Sequence, residues 1–278
     1  MTPEKRRILD SAAAHVCPGR VRTFEAIGVD LVIGRREGYR FWDVDGHELL
    51  DFHLNGGVFN LGHRHPELVA TLRDALDTLD VGNHHFPSAA RADLAEGLVK
   101  TMPGDLAYVV FAPSGGEAIE VAIKSARHAT KRRKIVSIAK GYHGHTGLAL
   151  AAGDERFSKL FLSEGEPGLF VQVPFNDLEA MESALSGGDV AAVLMETIPA
   201  TYGFPLPAAG YLPGVKRLCE RFGSVYIADE VQTGLGRTGR MWGVECFDVA
   251  PDILVTGKGL SGGLYPISPA VLGRKFAG

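Results

Sequence analysis

The sequence predicts an α/β fold with a largely parallel, doubly wound sheet, and three observations support this prediction. From residue 55 onward, helical and strand-like patterns alternate along the 278-residue chain. Seven short apolar segments have the length of sheet strands, and most of them are separated by helices. Glycine-rich stretches follow several strands, where open α/β sheets bind their ligands. We therefore expect a large domain with helices on both faces of the sheet over residues 55–278, preceded by a smaller α+β segment over residues 1–54.

The N-terminal segment is predicted to hold one helix and an antiparallel meander. Residues 4–16 have a helical pattern, and three short strands follow at 31–34, 39–43 and 48–52. The dipeptide Asp45-Gly46 lies between the last two strands and is typical of a tight hairpin turn.

The large domain is predicted element by element from apolar periodicity and end signals. A helix over 66–80 begins with Pro66 in its first turn and repeats apolar residues along one face. The segment Asn176–Glu179 resembles a capping box that opens a helix. The other predicted helices span 90–100, 117–130 and 213–222, and the predicted sheet strands span 108–111, 135–138, 169–173, 190–195, 225–228, 253–256 and 270–272.

Composition excludes several classes of function. The net charge is −4, and the basic residues are mixed with acidic ones, so we expect no nucleic-acid partner. The three cysteines share no C-x-x-C spacing, which is typical of free thiols in a reducing compartment. No apolar run has the length of a secretory signal or a membrane span, so we expect a cytoplasmic protein without a membrane partner.

Lys258 is the most informative residue of the chain. It follows the apolar run 253–257 and stands among small residues. Asp229 ends an earlier strand, and Gln232 follows three positions later. An amine and a carboxylate at two strand ends suit pyridoxal phosphate, whose aldehyde forms an imine with a lysine and whose ring nitrogen stays protonated beside an acid. Gln232 is a candidate partner of the phenolic oxygen, and Asp229 also has a simpler interpretation as a buried salt-bridge acid.

Two further segments fit the same cofactor. Ser114, Gly115 and Gly116 join a strand to a helix, where two glycines and a helix N-terminus favour a phosphate group. Tyr142 lies in a loop after a strand, where its ring can stack on a flat heterocycle. An ordinary tight turn and a core tyrosine remain the simpler alternatives for these two segments.

Two other kinds of site are less consistent with the sequence. The segment 234–239 reads G-x-G-x-x-G, but no helical pattern follows it, so we reject a dinucleotide site. Histidine pairs occur at 63 and 65, at 84 and 85, and at 143 and 145. No cysteine or acid completes a tetrahedral set at familiar spacing, so we expect no metal.

Four segments together resemble class III pyridoxal-phosphate aminotransferases. They are Asp229–Gly239, Thr256–Gly263, Leu61–Pro66 and Ser114–Ala118, and the resemblance extends from about Tyr39 to the last residue. It implies fold type I and a homodimer with the active site at the subunit interface. It also implies ping-pong transfer of an amino group from an amine or amino acid to a keto acid or aldehyde.

The resemblance also assigns roles to individual residues. Lys258 corresponds to the imine lysine and proton shuttle, and Asp229 to the partner of the pyridinium. The remaining cofactor-binding residues implied are Ser114, Gly115 and Gly116 for the phosphate, Tyr142 over the ring, Gln232 at the phenolic oxygen, and His143 and Glu196 nearby.

The chain also departs from the family pattern. Gly116 replaces a more usual hydroxyl or alanine, His145 replaces the arginine of the ornithine and aminobutyrate branches, and Glu196 lacks a following proline. The chain ends where family members continue into a C-terminal small domain, so we expect that domain to be absent and residues 1–54 to be only the N-terminal part of the small domain. An aminomutase or epimerase on the same fold, or an inactive truncated fragment, remain alternatives at this stage.

Overall fold

The computed structural model describes residues 1–80 and 85–277. The chain divides into two compact units. The first comprises Met1–Asp80 with Gly262–Leu264, and the second comprises Val81–Ser261 with Tyr265–Gly278. The predicted division into a small-domain segment over residues 1–54 and a large domain over residues 55–278 stays a prediction.

The first unit contains the predicted antiparallel meander. Its strands lie in the order β1-β2-β3, and Gly46, at a φ of 88°, closes the predicted turn by donating to Asp43 O at 3.0 Å. The second helix was not predicted, because its residues show no clear apolar face. The elements are α1 (Pro3–His15), α2 (Pro18–Ala26), β1 (Ile33–Glu37), β2 (Arg40–Asp43), β3 (Glu48–Leu50), α3 (Leu54–Gly57) and α4 (Pro66–Leu76).

A buried ion pair ties the first helix to this meander. Lys5 of α1 is almost fully buried, and its Nζ donates to Asp43 Oδ2 of β2 at 3.0 Å. Asp30 and Asp45 lie within 4 Å of the same ammonium group. A buried lysine needs such partners, because its charge would otherwise be desolvated without compensation.

The second unit alternates helices and strands as predicted. Two short helices between β5 and β6 were not predicted, because each is only six residues long. The elements are α5 (Ala89–Val99), β4 (Leu106–Ala112), α6 (Gly115–Thr130), β5 (Lys134–Ile138), α7 (Gly147–Ala152), α8 (Glu155–Leu160), β6 (Phe170–Val173), α9 (Leu178–Leu185), β7 (Val190–Glu196), α10 (Tyr211–Phe222), β8 (Val225–Asp229), β9 (Ile253–Val255) and β10 (Ser268–Gly273).

Within the described residues, seven strands of this unit form one sheet in the order β4-β10-β9-β8-β7-β5-β6. Only β10 runs antiparallel to its neighbours, so the predicted mostly parallel sheet is confirmed. Strand β7 is buried along its whole length, as expected for a strand covered on both faces.

Two apolar cores flank the sheet, which confirms the predicted helices on both faces. Alternate residues of each central strand enter different cores: Tyr226 enters one and Ile227 the other. Helix α6 covers one face with Ile119 and Ile123, and α10 covers the other with Leu212. None of the described helices is both long and apolar enough to cross a membrane. The cysteines Cys17, Cys219 and Cys246 are free, as predicted.

Candidate active site at the carboxyl ends of the strands

The structure brings every predicted site residue to one edge of the large sheet. Because β4, β5, β7, β8 and β9 all point the same way, their carboxyl ends lie along the same edge. Each of these strands contributes at least one predicted residue at or just after its end. The residues are Ser114, Gly115 and Gly116 after β4, Tyr142 and His143 after β5, Glu196 at the end of β7, Asp229 and Gln232 at β8, and Lys258 after β9.

Asp229 is a buried carboxylate held in one orientation. Its Oδ2 lies 2.8 Å from His143 Nδ1, and its Oδ1 accepts from the N–H of Val231 at 3.1 Å. The imidazole of His143 is also buried, and its Nε2 has no partner among the described residues. The pair therefore presents a fixed acid at the end of β8, and sequence alone gave His143 no such contact.

Glu196 lies directly opposite Asp229 in the register of β7 and β8. Its carboxylate accepts from the N–H of Tyr142 at 2.8 Å and from the N–H of Ala200 at 3.1 Å. Burial raises the pKa of Glu196, and the nearby charge of Asp229 raises it further. Through these bonds Glu196 fixes the loop that carries Tyr142 and His143.

Tyr142 presents a partly open aromatic ring at this edge. Its side chain is 36% exposed, so one part of the ring remains accessible to a flat molecule. His145 packs edge-on against it, with ring centroids 5.4 Å apart, and also contacts Phe157 and Phe161. Burial raises the pKa of the Tyr142 phenol, so the ring stays neutral at physiological pH.

Lys258 combines a lowered pKa with an unusual backbone conformation. Burial lowers the pKa of its amine, although Asp229 and Glu196 act in the opposite direction. Its Nζ donates to Gln232 Oε1 at 2.6 Å, and its φ of 42° lies in the left-handed region. Such strain in a non-glycine residue is common at functional sites. The preceding Gly257 has no room for a side chain, because a Cβ there would overlap the Ser268 hydroxyl.

The start of α6 directs two glycine N–H groups toward the end of β4 where the chain turns into the helix. Ser114 caps the helix by accepting from the N–H of Glu117 at 3.3 Å, and the N–H groups of Gly115 and Gly116 have no acceptor within the helix. Gly144 packs against this turn, since a Cβ there would lie 2.7 Å from Gly116 Cα. Bare amides at the N-terminus of a 16-residue helix favour a phosphate or another anion.

The segment 234–239, considered for a dinucleotide site, and the histidine pairs, considered for a metal site, have simpler structural explanations. Residues 231–240 form turns, and the short 3₁₀ helix Gly243–Phe247 follows instead of an α-helix. His63 Nε2 lies 2.7 Å from Asp51 Oδ2 in the first unit, and His84 lies outside the described residues.

One acidic group of the first unit has metal-like spacing. Among the described side chains, Asp43, Asp45 and His47 are spaced closely enough for a metal ion. The Lys5 ammonium, 3.0 Å from Asp43 Oδ2, already provides a cation there.

Sequence reasoning missed Glu230, the fully buried acid next to Asp229. The signal was present as a second carboxylate directly after a strand-end aspartate. Adjacent acids after a strand are usually split between the core and solvent, whereas here both are buried, and the buried partners of Glu230 come from distant segments.

Glu120 supports the site from α6. Its Oε1 accepts from the N–H groups of Leu148 at 2.6 Å and Ala149 at 3.1 Å, so it caps α7 directly after the Tyr142–Thr146 loop. We expect Glu120→Ala to lower the free energy of unfolding by about 1 kcal/mol, the usual loss when a helix cap is removed. Chemical denaturation measures this change, with the exposed Lys124→Ala on the same helix as control. Equal stability of the two variants contradicts the capping role.

Comparison with known proteins identifies relatives over nearly the whole chain. The sequence profile described as aminotransferase class-III matches residues 25–277. An uncharacterized aminotransferase of Archaeoglobus fulgidus is 56% identical over 264 residues, which cover 95% of this chain and 62% of that protein. The chain therefore spans less than two thirds of the length of this curated relative.

Two solved structures show the same fold. The ornithine aminotransferase of Toxoplasma gondii matches with a TM-score of 0.87 and 28% identity, over 98% of this chain and 64% of that one. The taurine:2-oxoglutarate aminotransferase of Bifidobacterium kashiwanohense, solved with PLP and glutamate, matches with a TM-score of 0.82 and 33% identity. That match covers 89% of this chain and 60% of the other.

Proposed function

The chain belongs to the class III aminotransferase family, and from this premise we propose that it serves pyridoxal-phosphate-dependent transfer of an amino group. One observation carries the proposal: a helix N-terminus, a fixed carboxylate and a lysine amine of lowered pKa lie along one sheet edge. These are the three groups that a phosphorylated pyridine aldehyde requires. The names of the relatives favour transamination over an aminomutase or epimerase reaction.

The residues present fit this cofactor. The bare amides of Gly115 and Gly116, with the Ser114 hydroxyl, would hold the phosphate, and the tight packing of Gly144 keeps that turn free of side chains. Asp229 would accept a hydrogen bond from the protonated ring nitrogen, because its carboxylate is already oriented by His143 and Val231. When bound, pyridoxal phosphate withdraws electrons from the carbon next to the substrate amine.

Lys258 would attach the cofactor and then carry a proton. Only an unprotonated amine can attack an aldehyde, and the lowered pKa of Lys258 increases that fraction at neutral pH. As a free amine, Lys258 Nζ would take up a proton of the substrate and return it. The negative charges of Asp229 and Glu196 moderate the pKa lowering and so keep the amine basic enough for this task.

The other site residues would position the cofactor. Tyr142 would cover one face of the ring, and Glu196 would hold its loop through the Tyr142 N–H. Gln232 would bind the phenolic oxygen through its side-chain amide while its Oε1 still faces Lys258 Nζ. His143 would keep Asp229 in the orientation that receives the ring nitrogen.

The substrates would be an amine or amino acid donor and a keto acid or aldehyde acceptor. Relatives of similar fold are named for ornithine and for taurine, which share a primary amine and differ elsewhere, and the second is also named for the keto acid 2-oxoglutarate. We also propose a cytoplasmic homodimer that binds neither nucleic acid nor membrane. Because the chain spans 60–64% of these relatives, its activity is a proposal for the protein as given.

A half-reaction assay tests the reaction type. The protein is loaded with pyridoxal phosphate and mixed with a panel of primary-amine donors without any acceptor. We expect one keto or aldehyde product per bound cofactor, and regeneration of the cofactor when a keto acid is added. An isomerised or epimerised donor without keto product would instead assign the aminomutase or epimerase reaction.

A further inference from the structure

Glu230 is a fully buried acid that the chemistry above does not use. Its carboxylate accepts from the Thr197 hydroxyl, from the N–H of Gly243 at 2.5 Å and from the N–H of Val244 at 3.1 Å. These partners are neutral, and they come from two segments that are distant in sequence. Removal of a buried carboxylate with several donors destabilises the fold, because each donor then loses its acceptor.

The backbone hydrogen bonds of Glu230 hold the turn next to two site residues. Its N–H donates to Val255 O at 2.8 Å, and its own C=O accepts from the N–H of Gly234 at 3.0 Å. Asp229 lies one residue before it and Gln232 two residues after it. Thr197, which donates to the Glu230 carboxylate, directly follows Glu196.

Two glycines make this arrangement possible. A Cβ on Gly243 would lie 3.1 Å from both carboxylate oxygens of Glu230. A Cβ on Gly234 would lie 2.8 Å from Glu230 O and from the ring of Trp242. The glycines of this region therefore serve close packing around a buried acid, which explains them without a dinucleotide.

We propose that Glu230 is a positioning residue whose ionised carboxylate fixes the turn carrying Asp229 and Gln232 in the geometry that receives the cofactor. This inference rests on the proposed function. The ionised form is the competent one, because Oε2 accepts from the N–H of Gly243 and Oε1 accepts from the N–H of Val244 as well as from the Thr197 hydroxyl, so each oxygen faces a backbone N–H that needs an acceptor.

Cofactor affinity should then depend on pH. Burial raises the pKa of Glu230 to about 7, while its hydrogen bonds lower it. The titratable groups on the segments packed against it are Tyr226 on β8, whose pKa burial and Glu230 raise well above its ordinary value, and Glu245 of the segment Gly243–Phe247, which accepts from the N–H of Trp242. The phenol stays neutral below pH 9, so Glu230 is the group of this cluster that gains charge as pH rises through 7.

The experiment compares pyridoxal phosphate dissociation constants for Glu230→Gln and the unchanged protein between pH 6 and 8. Protonation of the free cofactor changes both constants by the same factor, so it does not affect their ratio. We expect the ratio to be near one at pH 6, where both proteins carry a neutral group. It should rise to about tenfold at pH 8, since hydrogen bonds to a charged acceptor are lost. Glu245→Gln, which loses the same charge and whose Oε2 accepts from the N–H of Trp242 at 2.7 Å, should keep a constant ratio.

A second variant provides an independent test in case Glu230→Gln does not fold. Thr197→Val removes one donor, so the pKa of Glu230 should rise. The buried Trp242 reports this as an upward shift in the midpoint of its fluorescence titration in the cofactor-free protein. A constant ratio across pH, or an unshifted midpoint, overturns the inference and leaves the proposed function standing. Absence of cofactor binding by the unchanged protein overturns both.

Discussion

Replacing Lys258 with alanine should abolish covalent attachment of pyridoxal phosphate and lower turnover by roughly 10²–10⁴-fold, the usual contribution of one positioned proton-transfer group. The physical reason is that Lys258 Nζ is the amine of lowered pKa at the sheet edge, held 2.6 Å from Gln232 Oε1. The visible absorbance of the bound cofactor and single-turnover rates with a primary-amine donor measure the two losses separately.

Lys258→Arg separates chemistry from packing. Arginine keeps the charge and a similar length, so it can still contact Gln232, but its guanidinium stays protonated and cannot attack an aldehyde. We expect this variant to bind cofactor without attaching it. The exposed Lys159→Ala of α8 should behave like the unchanged protein. Retention of covalent cofactor by either Lys258 variant contradicts the assignment.

Asp229→Asn should have the second-largest effect. The change keeps the shape of the side chain but removes the negative charge that would hold the ring nitrogen protonated. A charge-assisted hydrogen bond is worth about 1.5–3 kcal/mol, so cofactor affinity should fall by roughly 10–100-fold. Proton removal from the donor should also slow, because the neutral ring withdraws electrons less strongly.

The control for this variant is Asp248→Asn. Asp248 is exposed and has a φ of 49°, a conformation that asparagine tolerates well, so neither affinity nor rate should change. Affinity and single-turnover rate within twofold of the unchanged protein for Asp229→Asn count against its role beside the ring nitrogen.

The sequence predicted the sheet well because buried parallel strands leave a strong local signal. Runs such as 190–195 and 225–228 are apolar throughout and end at a polar residue, so their position and the residues beyond them could be inferred. The helices α7 and α8 were missed because each has only six residues, too few for a helical period to be distinguished from a loop.

The chemistry of single residues was predictable, and their mutual contacts were not. The types and order of Ser114, Asp229 and Lys258 pointed to one cofactor before any geometry was known. The pairing of His143 with Asp229 joins residues 86 positions apart, and the side-chain hydrogen bonds of Glu230 span 13 to 33 positions. Such contacts depend on how strands assemble, which a single sequence does not reveal.

The most direct test of the central claim is the site of covalent cofactor attachment. The purified protein is incubated with pyridoxal phosphate, reduced with borohydride and digested, and the labelled peptide is sequenced by mass spectrometry. We predict a single reduced pyridoxyl phosphate group on Lys258, formed faster than on any exposed lysine because the pKa of Lys258 is lowered. A label distributed over surface lysines, or placed on one lysine other than Lys258, would contradict it.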